Sequence, residues 1–203
     1  MASSLFAQLT QSLGAVRDPE GNILTTPFLS TCRELVHVIE KFGTALALVK
    51  SDVGGNIDRL EAAHGRNPTK YTRIFDILSD EVNTGQPTGS SSDTNGLLWL
   101  KRALEFTTVI LLRLYDDRTV TLSTAASESY TATLYQYHTW YTAAAFTVAL
   151  KLVPSRETFF QKVGTPGEQL MEDMKHFTDS FTPLLQQIHQ FLVDHDLDFK
   201  TRV

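Results

Sequence analysis

Apolar residues recur at the spacing of one helical face along nearly all of this chain, and this periodicity constrains the fold most strongly. Leu5, Leu9 and Leu13 begin the pattern, and similar stripes recur to about His195. The alternation typical of a half-buried strand appears at no useful length. Because hydrophobic residues make up 42% of the 203 residues, the stripes can bury one substantial core. The sequence therefore predicts an all-α fold of about eight helices, with residues 1–203 forming one domain.

Glycine, proline and polar runs divide this pattern into separate predicted helices. Thr26 and Pro27 have the character of a helix N-cap followed by an N1 proline. The Gly-, Ser- and Thr-rich stretch 83–95 is expected to be a mobile loop. The predicted helices cover residues 5–13, 26–42, 44–64, 67–82, 96–115, 127–153, 155–163 and 166–195.

The charge balance and the chemistry-bearing residues exclude several functional classes. The chain has 18 basic and 23 acidic side chains, so it lacks the basic footprint of a nucleic-acid-binding protein and no nucleic-acid partner is expected. Cys32 is its single cysteine, which excludes a disulfide framework and a cysteine-based zinc site. Six scattered histidines and the absence of phosphate-loop, dinucleotide and hydrolase motifs argue against an enzyme. We therefore expect no metal ion, no cofactor and no catalytic residue.

The apolar runs and the N-terminal residues bear on location. No run reaches the roughly 18 apolar residues of a spanning helix. The first residues, MASSLFAQLTQSLGAV, have no basic group before the apolar stretch, as a secretory signal would. A cytoplasmic protein is expected.

Asp52, Asn56 and Arg59 form the first candidate site. Their spacing of i, i+4 and i+7 places all three on one stripe of a helix. A carboxylate, an amide and a guanidinium together suit a ligand rich in hydroxyls. A solvated helix face with ordinary ion pairs is the alternative. The adjacent Gly54 and Gly55 would permit close approach to that helix.

Two aromatic segments form further candidates. Trp99 lies in GLLWLKRALEF, as a core residue or as a flat surface for stacking on a sugar ring or a cation. Lys101 and Arg102 follow, as a solvated edge or as partners of an acidic group. His138 lies among tyrosines and Trp140 in YQYHTWYTAAAF, as a satisfied core histidine or near a membrane–water boundary, where such aromatics concentrate.

Three segments together resemble the glycolipid transfer protein family. They are VKSDVGGNIDRL, GLLWLKRALEF and YxxxLYQYHTWY, in the family's order and spacing, and TTPFL lies where that family begins its second helix. The resemblance covers roughly residues 25–163. It implies a two-layer helical sandwich that holds one sphingolipid, with its headgroup at the surface and its hydrocarbon chains between the helix layers. It also implies transfer of that lipid between membranes without chemical turnover.

The resemblance assigns roles to the candidate residues. Asp52 would accept hydrogen bonds from the ceramide amide and a sugar hydroxyl, Asn56 would bind sugar hydroxyls, and Arg59 would stand at the family's usual lysine position. Trp99 would stack on the first sugar and His138 would donate to the amide carbonyl. Trp140 would contact the membrane transiently. The expected protein is a monomer whose partner is a glycosphingolipid.

Several features leave alternatives open. A branch of the family binds ceramide-1-phosphate through cationic side chains, whereas Asn56 and Trp99 occupy those positions here. Arginine at position 59 is a planar fork instead of a point charge, so headgroup preference is expected to differ. The family's C-terminal tyrosine has no counterpart, and Phe199 is the nearest aromatic. Helices 28–42, 97–115 and 143–153 are expected to supply the apolar sleeve. Sphingolipid sensing and a packed helical interaction module are the other candidate functions.

Overall fold

The computed structural model of the chain describes residues 3–85 and 87–203. Isolated bridges at Arg17–Ile23 and Leu24–Arg73 are the only strand-like pairing in these ranges, and the predicted all-α class is confirmed. Short 3₁₀ segments occur at Gly43–Leu46, Tyr135–Tyr137 and Leu150–Leu152. The described ranges contain nine α-helices: α1 (Leu5–Leu13), α2 (Thr25–Glu40), α3 (Ala47–Arg66), α4 (Ile74–Asn83), α5 (Asp93–Asp116), α6 (Leu122–Ala132), α7 (Trp140–Ala149), α8 (Arg156–Val163) and α9 (Glu168–Asp194).

Helix α5 is the centre of the packing. It lies against α3 and α9, and α2 and α1 complete a ring of contacts that runs α5–α3–α2–α1–α9. Leu97, Leu104 and Leu111, one heptad apart on α5, are fully buried, so the strongly apolar stretch predicted to be central is central. None of the helices in the described ranges combines the length and the apolar character needed to cross a bilayer.

Two predicted helix starts are wrong because tertiary contacts override local signals. Helix α2 begins at Thr25 instead of Pro27, and the Thr25 hydroxyl donates to the Tyr71 carbonyl at 2.7 Å. Pro27 is still tolerated in the first turn, where its missing N–H has no helical partner. Helix α4 begins at Ile74, because Asn67–Tyr71 closes a separate turn through a backbone bond of 2.9 Å.

The long helix predicted over 127–153 is divided into α6, a 3₁₀ turn and α7. His138 and Thr139 are extended, with ψ angles of 143° and 164°. Their neighbourhood pairs with the end of the chain, since the Thr139 N–H donates to the Val203 carbonyl at 2.7 Å. The division has a functional consequence, because it turns the His138 side chain back towards α6.

Candidate functional site

The residues singled out by sequence meet at one cavity between α3, α5 and α7. Its volume is ≈ 580 Å³, within the range of pockets that hold small-molecule ligands. Asp52, Asn56, Arg59, Trp99 and His138 all line it, although they come from three separate segments. No cluster of three or more metal-ligating side chains is found in the part of the chain that the structure describes.

Asp52, Asn56 and Arg59 form the polar wall on α3. Asp52 is exposed and forms no salt bridge with a described residue, whereas Asn56 retains only 6% exposure. Nearby protein atoms displace enough water to raise the pKa of the Asp52 carboxyl, against the opposing effects of the Asn56 amide and the Arg59 charge. A carboxylate with incomplete hydration and no ion-pair partner is a strong acceptor for a ligand hydroxyl or N–H.

Arg59 also supports the loop beside the cavity. Its Nη1 donates to the carbonyls of Ser90 and Ser92 at 3.1 and 3.2 Å. A Cβ on Gly96 would lie 2.9 Å from the Arg59 Cδ, so only glycine admits this side chain without displacement. The sequence interpretation missed Gly96 and placed the need for glycine at Gly54 and Gly55, where an added Cβ meets no described atom within 4 Å.

Trp99 is half-buried at the cavity wall. Its indole lies nearly parallel to the His138 ring, at 17° and 6.3 Å between centroids. The Arg102 guanidinium carbon lies 5.0 Å from the indole and 3.6 Å from the centre of Tyr137. The indole is therefore fixed by packing while part of it remains available to a ligand.

The basic pair after Trp99 is satisfied by protein carboxylates. Lys101 Nζ donates to Glu105 at 2.6 Å, and Arg102 Nη2 donates to Asp198 at 3.0 Å. Both basic side chains are almost fully buried. Of the two interpretations of this pair, the structure therefore supports partners for an acidic group, and that group comes from the protein itself.

His138 is held between α6 and α7. Its Nδ1 lies 2.9 Å from the hydroxyl of buried Tyr130, and its ring packs 5.2 Å from Phe146. Burial lowers the pKa of His138, so the imidazole is neutral at neutral pH. The Tyr130 contact was not anticipated, because no sequence pattern reports a side-chain bond across a broken helix.

The rest of the cavity wall is apolar. Val49, Ala103, Leu134, Ala145 and Phe146 face it, and the two alanines leave room that larger side chains would fill. The expected contribution of residues 28–42 is wrong, since none of them lines the cavity. Phe28, Leu35 and Phe42 are instead fully buried in the core.

A patch of exposed apolar side chains lies along α7 and its surroundings. Trp140 is 84% exposed, and no charged residue interrupts α7. Tyr141 and Leu48 belong both to this exposed set and to the cavity lining. The exposed apolar surface is thus continuous with the cavity. The patch consists of Leu48, Trp140, Tyr141, Val148 and Leu152.

The last residues complete the cavity although they lack a tyrosine. Val203 lines it, and the Val203 N–H donates to the Tyr137 carbonyl at 2.9 Å. Phe199 packs against the core instead of entering the cavity, and its carbonyl accepts from Arg102 at 2.5 Å. The tail, residues 196–203, therefore closes one side of the cavity through backbone pairing.

Comparison with known sequences places this chain among lipid transfer proteins. The sequence model of the family described as glycolipid transfer protein matches residues 23–165. Glycolipid transfer protein 1 of Arabidopsis thaliana is 36% identical over 198 residues, which is 98% of each chain. Glycolipid transfer protein 3 of the same plant is 34% identical over 174 residues, covering 84% of this chain and 75% of the relative.

Solved structures show the same fold. The structure that shows how FAPP2 selects simple glycosphingolipids using the GLTP-fold superposes with a TM-score of 0.90 at 27% identity, covering 99% of this chain and 100% of the other. Mouse ceramide-1-phosphate transfer protein superposes with a TM-score of 0.89 at 23% identity, covering 98% and 99%. The second likeness concerns the fold alone, because proteins of this fold differ in the headgroup they bind.

Proposed function

The chain belongs to the glycolipid transfer protein family, and from that premise we propose that it binds one glycosphingolipid and transfers it between membranes. The observation that carries this proposal is the division of the cavity into two halves. A carboxylate, an amide, a guanidinium and an indole line one half, and aliphatic and aromatic side chains line the other. A sugar joined to a ceramide has the same division.

The polar half suits a sugar and the amide beside it. Asp52 accepts from the ceramide N–H and a sugar hydroxyl, and Asn56 both donates to and accepts from hydroxyls. The indole of Trp99 stacks on the C–H face of the first sugar. Arg59 contributes the guanidinium nitrogens that the loop carbonyls leave free. His138 donates to the amide carbonyl.

The apolar half supplies what a hydrocarbon chain needs outside a bilayer. Each buried methylene is worth about 0.8 kcal/mol, so a chain of roughly 15 methylenes costs more than about 10 kcal/mol in water. Moving that chain from a bilayer into an apolar cavity is nearly neutral. Selection among lipids therefore falls to the polar half, where each group left unpaired by a wrong headgroup costs about 1–3 kcal/mol.

A sugar headgroup is favoured over a phosphate. Recognition of a phosphate calls for arginine or lysine as its immediate partner, whereas Asn56 and Trp99 stand at the site. The one arginine in the cavity lining, Arg59, already donates from Nη1 to two carbonyl oxygens. Ceramide-1-phosphate is thus the second candidate ligand.

The α7 patch is proposed to meet the membrane. Tryptophan and tyrosine are favoured at the membrane–water boundary, and Trp140 and Tyr141 are the most exposed aromatic side chains among the described residues. Because Tyr141 also lines the cavity, contact there would let a lipid pass between bilayer and cavity without crossing water.

The proposed protein is a cytoplasmic, monomeric carrier that makes and breaks no covalent bond. All nine helices of the described ranges except α7 place at least two residues in the buried core, which supports one domain over residues 1–203. Sphingolipid sensing would use the same site, and it would differ from transfer in the event that lipid binding triggers.

A competition assay tests the proposal. Fluorescent galactosylceramide would be moved from donor to acceptor vesicles, with unlabelled glucosyl-, galactosyl- and lactosylceramide and ceramide-1-phosphate as competitors. We expect the sugar lipids to compete and ceramide-1-phosphate to compete at least about tenfold less well, as one or two unpaired polar groups predict. Stronger competition by ceramide-1-phosphate would reverse the headgroup assignment. No lipid uptake in native mass spectrometry would leave the packed interaction module as the better description.

A further inference from the structure

Tyr130 and His138 are joined by a buried hydrogen bond beside the cavity. The Tyr130 hydroxyl and His138 Nδ1 are 2.9 Å apart, and the two residues are 2% and 9% exposed. Tyr130 lies on α6, and His138 lies in the break that separates α6 from α7. Only His138 lines the cavity.

Chemistry decides which atom of this pair carries the shared proton. Burial raises the pKa of Tyr130 to about 12, so its hydroxyl keeps a proton that needs an acceptor. His138 Nδ1 is the one partner of this hydroxyl among the described residues. Burial also lowers the pKa of His138, and a neutral imidazole has one donor nitrogen and one acceptor nitrogen. Nδ1 is therefore the acceptor, and the ring proton is on Nε2.

The opposite assignment leaves a buried group unpaired. If Nδ1 carried the proton and donated to the phenol oxygen, the phenol proton would point into apolar surroundings with no acceptor. Buried polar groups are paired in the great majority of cases, and an unpaired one is unfavourable.

Packing prevents the pair from rearranging. The Tyr130 ring is stacked on Phe146 at 4.8 Å between centroids and 17° between planes. Phe106 meets the same ring edge-on at 6.4 Å. The imidazole lies between Trp99 and Phe146. Neither ring can turn without displacing these neighbours, so Nδ1 stays with Tyr130 and Nε2 is the nitrogen left for a ligand.

We propose that Tyr130 is a positioning residue that holds His138 in the Nε2–H tautomer, so that the site selects a lipid carrying a carbonyl acceptor next to an N–H donor. Asp52, which can only accept when ionised, supplies the complementary partner for the N–H. The pair of protein groups therefore reads a secondary amide as a unit and discriminates against a lipid that lacks the carbonyl. This inference rests on the proposed sphingolipid ligand, although the tautomer itself does not.

The tautomer is measured without any lipid. Long-range ¹H–¹⁵N correlation spectra of protein labelled at histidine distinguish Nδ1–H from Nε2–H, and His138→Gln identifies the resonances of this ring. We expect the Nε2–H form in the wild-type protein and a mixture of both forms in Tyr130→Phe. An Nδ1–H form in the wild type overturns the proposal, and so does an unchanged Nε2–H form in Tyr130→Phe. The wild-type spectrum decides the first point even if the variant does not fold.

Selectivity is then measured with two lipids. Vesicle transfer of glucosylceramide is compared with transfer of an N-alkyl analogue whose amide carbonyl is replaced by a methylene. We expect the wild type to favour glucosylceramide by about tenfold or more, and Tyr130→Phe to lose most of that preference, as loss of a satisfied buried hydrogen bond predicts. Tyr135→Phe is the matched control, because Tyr135 touches Tyr130 edge-on at 5.9 Å but is 54% exposed.

The outcomes separate the two proposals. Equal slowing of both lipids in Tyr130→Phe would reduce Tyr130 to a packing residue and overturn the inference. Failure of the wild type to carry either lipid would refute the proposed function, while the spectrum would still decide the tautomer.

Discussion

Asp52 is the residue whose chemistry departs most from an ordinary surface position. It is exposed and its pKa is raised by the protein atoms around it, and no described cation forms a salt bridge with it. A folded-state pKa above the ordinary value means that ionising this carboxyl works against folding. The contribution is therefore present at low pH and is lost as the pH rises through the folded-state pKa. Such a group is retained for what it binds.

Asp52→Val should therefore remove ligand recognition while leaving the helix in place. Loss of an acceptor for one or two ligand donors costs about 1–3 kcal/mol each, and every 1.4 kcal/mol is about tenfold in affinity. We expect glycolipid transfer to fall at least about tenfold with a nearly unchanged circular dichroism spectrum. Asp58→Val is the matched control, since Asp58 lies on the same helix with a side chain 69% exposed and pairs with Arg33 at the surface. Equal transfer by both variants would remove Asp52 from the site.

Trp99→Ala should abolish most transfer for a different reason. The indole makes no hydrogen bond among the described residues and contributes a flat face, so Trp99→Phe should retain part of the activity and Trp99→Ala very little. Removing a half-buried ring also lowers the free energy of unfolding, by less than the roughly 3–5 kcal/mol of a fully buried tryptophan. Vesicle transfer measured beside thermal unfolding separates the two effects. Wild-type transfer by a folded Trp99→Ala would contradict the stacking role.

At the scale of elements, α7 is the helix with the least support from the rest of the molecule. Of its ten residues only Ala143 is buried, yet the helix carries no charge. A helix that is apolar all round is ordinarily buried in a core or in a membrane. Its position over the cavity explains how an exposed apolar helix can be useful in a protein without a spanning helix in its described ranges.

Trp140→Ala should weaken binding to vesicles and leave the free protein folded. Burying a large apolar side chain is worth about 1.5–3 kcal/mol, so we expect partitioning onto phosphatidylcholine vesicles to fall roughly tenfold or more in a sedimentation assay. Val193→Ala, at an exposed valine of α9, provides the control and should partition normally. If Trp140→Ala partitions like the wild type, the membrane role of this residue is wrong.

The tail depends on one buried ion pair. Arg102 is 2% exposed and donates to Asp198, whose side chain is 10% exposed. Asp198 also pairs with Lys200, whose side chain is 69% exposed. Removing one partner of a buried pair leaves an uncompensated charge, whereas an exposed pair contributes little.

Asp198→Ala should accordingly lower the free energy of unfolding by about 3 kcal/mol, and Lys200→Ala by less than about 1 kcal/mol. Urea denaturation of the two variants measures both values. Because Val203 lines the cavity, release of the tail in Asp198→Ala should also slow lipid transfer. Similar losses of stability in the two variants would show that the buried pair has no special role.

At the scale of the whole molecule, the packed ring of helices and the cavity occupy different places. The core enclosed by α5, α3, α2, α1 and α9 is filled by its own side chains, including Phe6, Phe28 and Phe177. The cavity lies beside this core, where α7 covers it. A stable scaffold can thus carry a vacant site without losing core packing.

Lipid binding should stabilise the whole molecule by mass action. At a free lipid concentration one hundred times the Kd, a ligand that binds only the folded state adds about 2.7 kcal/mol. For a chain of this size that corresponds to a rise in Tm of roughly 5–10 °C. Calorimetry with short-chain glucosylceramide, with octyl glucoside as the control that lacks the amide, measures this. An equal rise with both ligands would show that the ceramide amide is not recognised.

The local pattern predicted most elements because burial of a helix face leaves a period in the sequence. Helices α1, α5, α8 and α9 lie close to their predicted ranges, and the loop predicted over 83–95 corresponds to the segment between α4 and α5 apart from the first turn of α5. The stripe of Asp52, Asn56 and Arg59 was predictable because the 3.6-residue period fixes which side chains share a face.

Contacts between distant segments were decided only by the tertiary structure. Nothing local indicates that Arg102 meets Asp198 across 96 residues, that Gly96 makes room for Arg59, or that a predicted continuous helix breaks at His138. Periodicity records whether a position is buried and not which partner buries it. The partner is chosen by the packing of the complete chain, where a buried charge or phenol must find its hydrogen-bond partner wherever the fold places one.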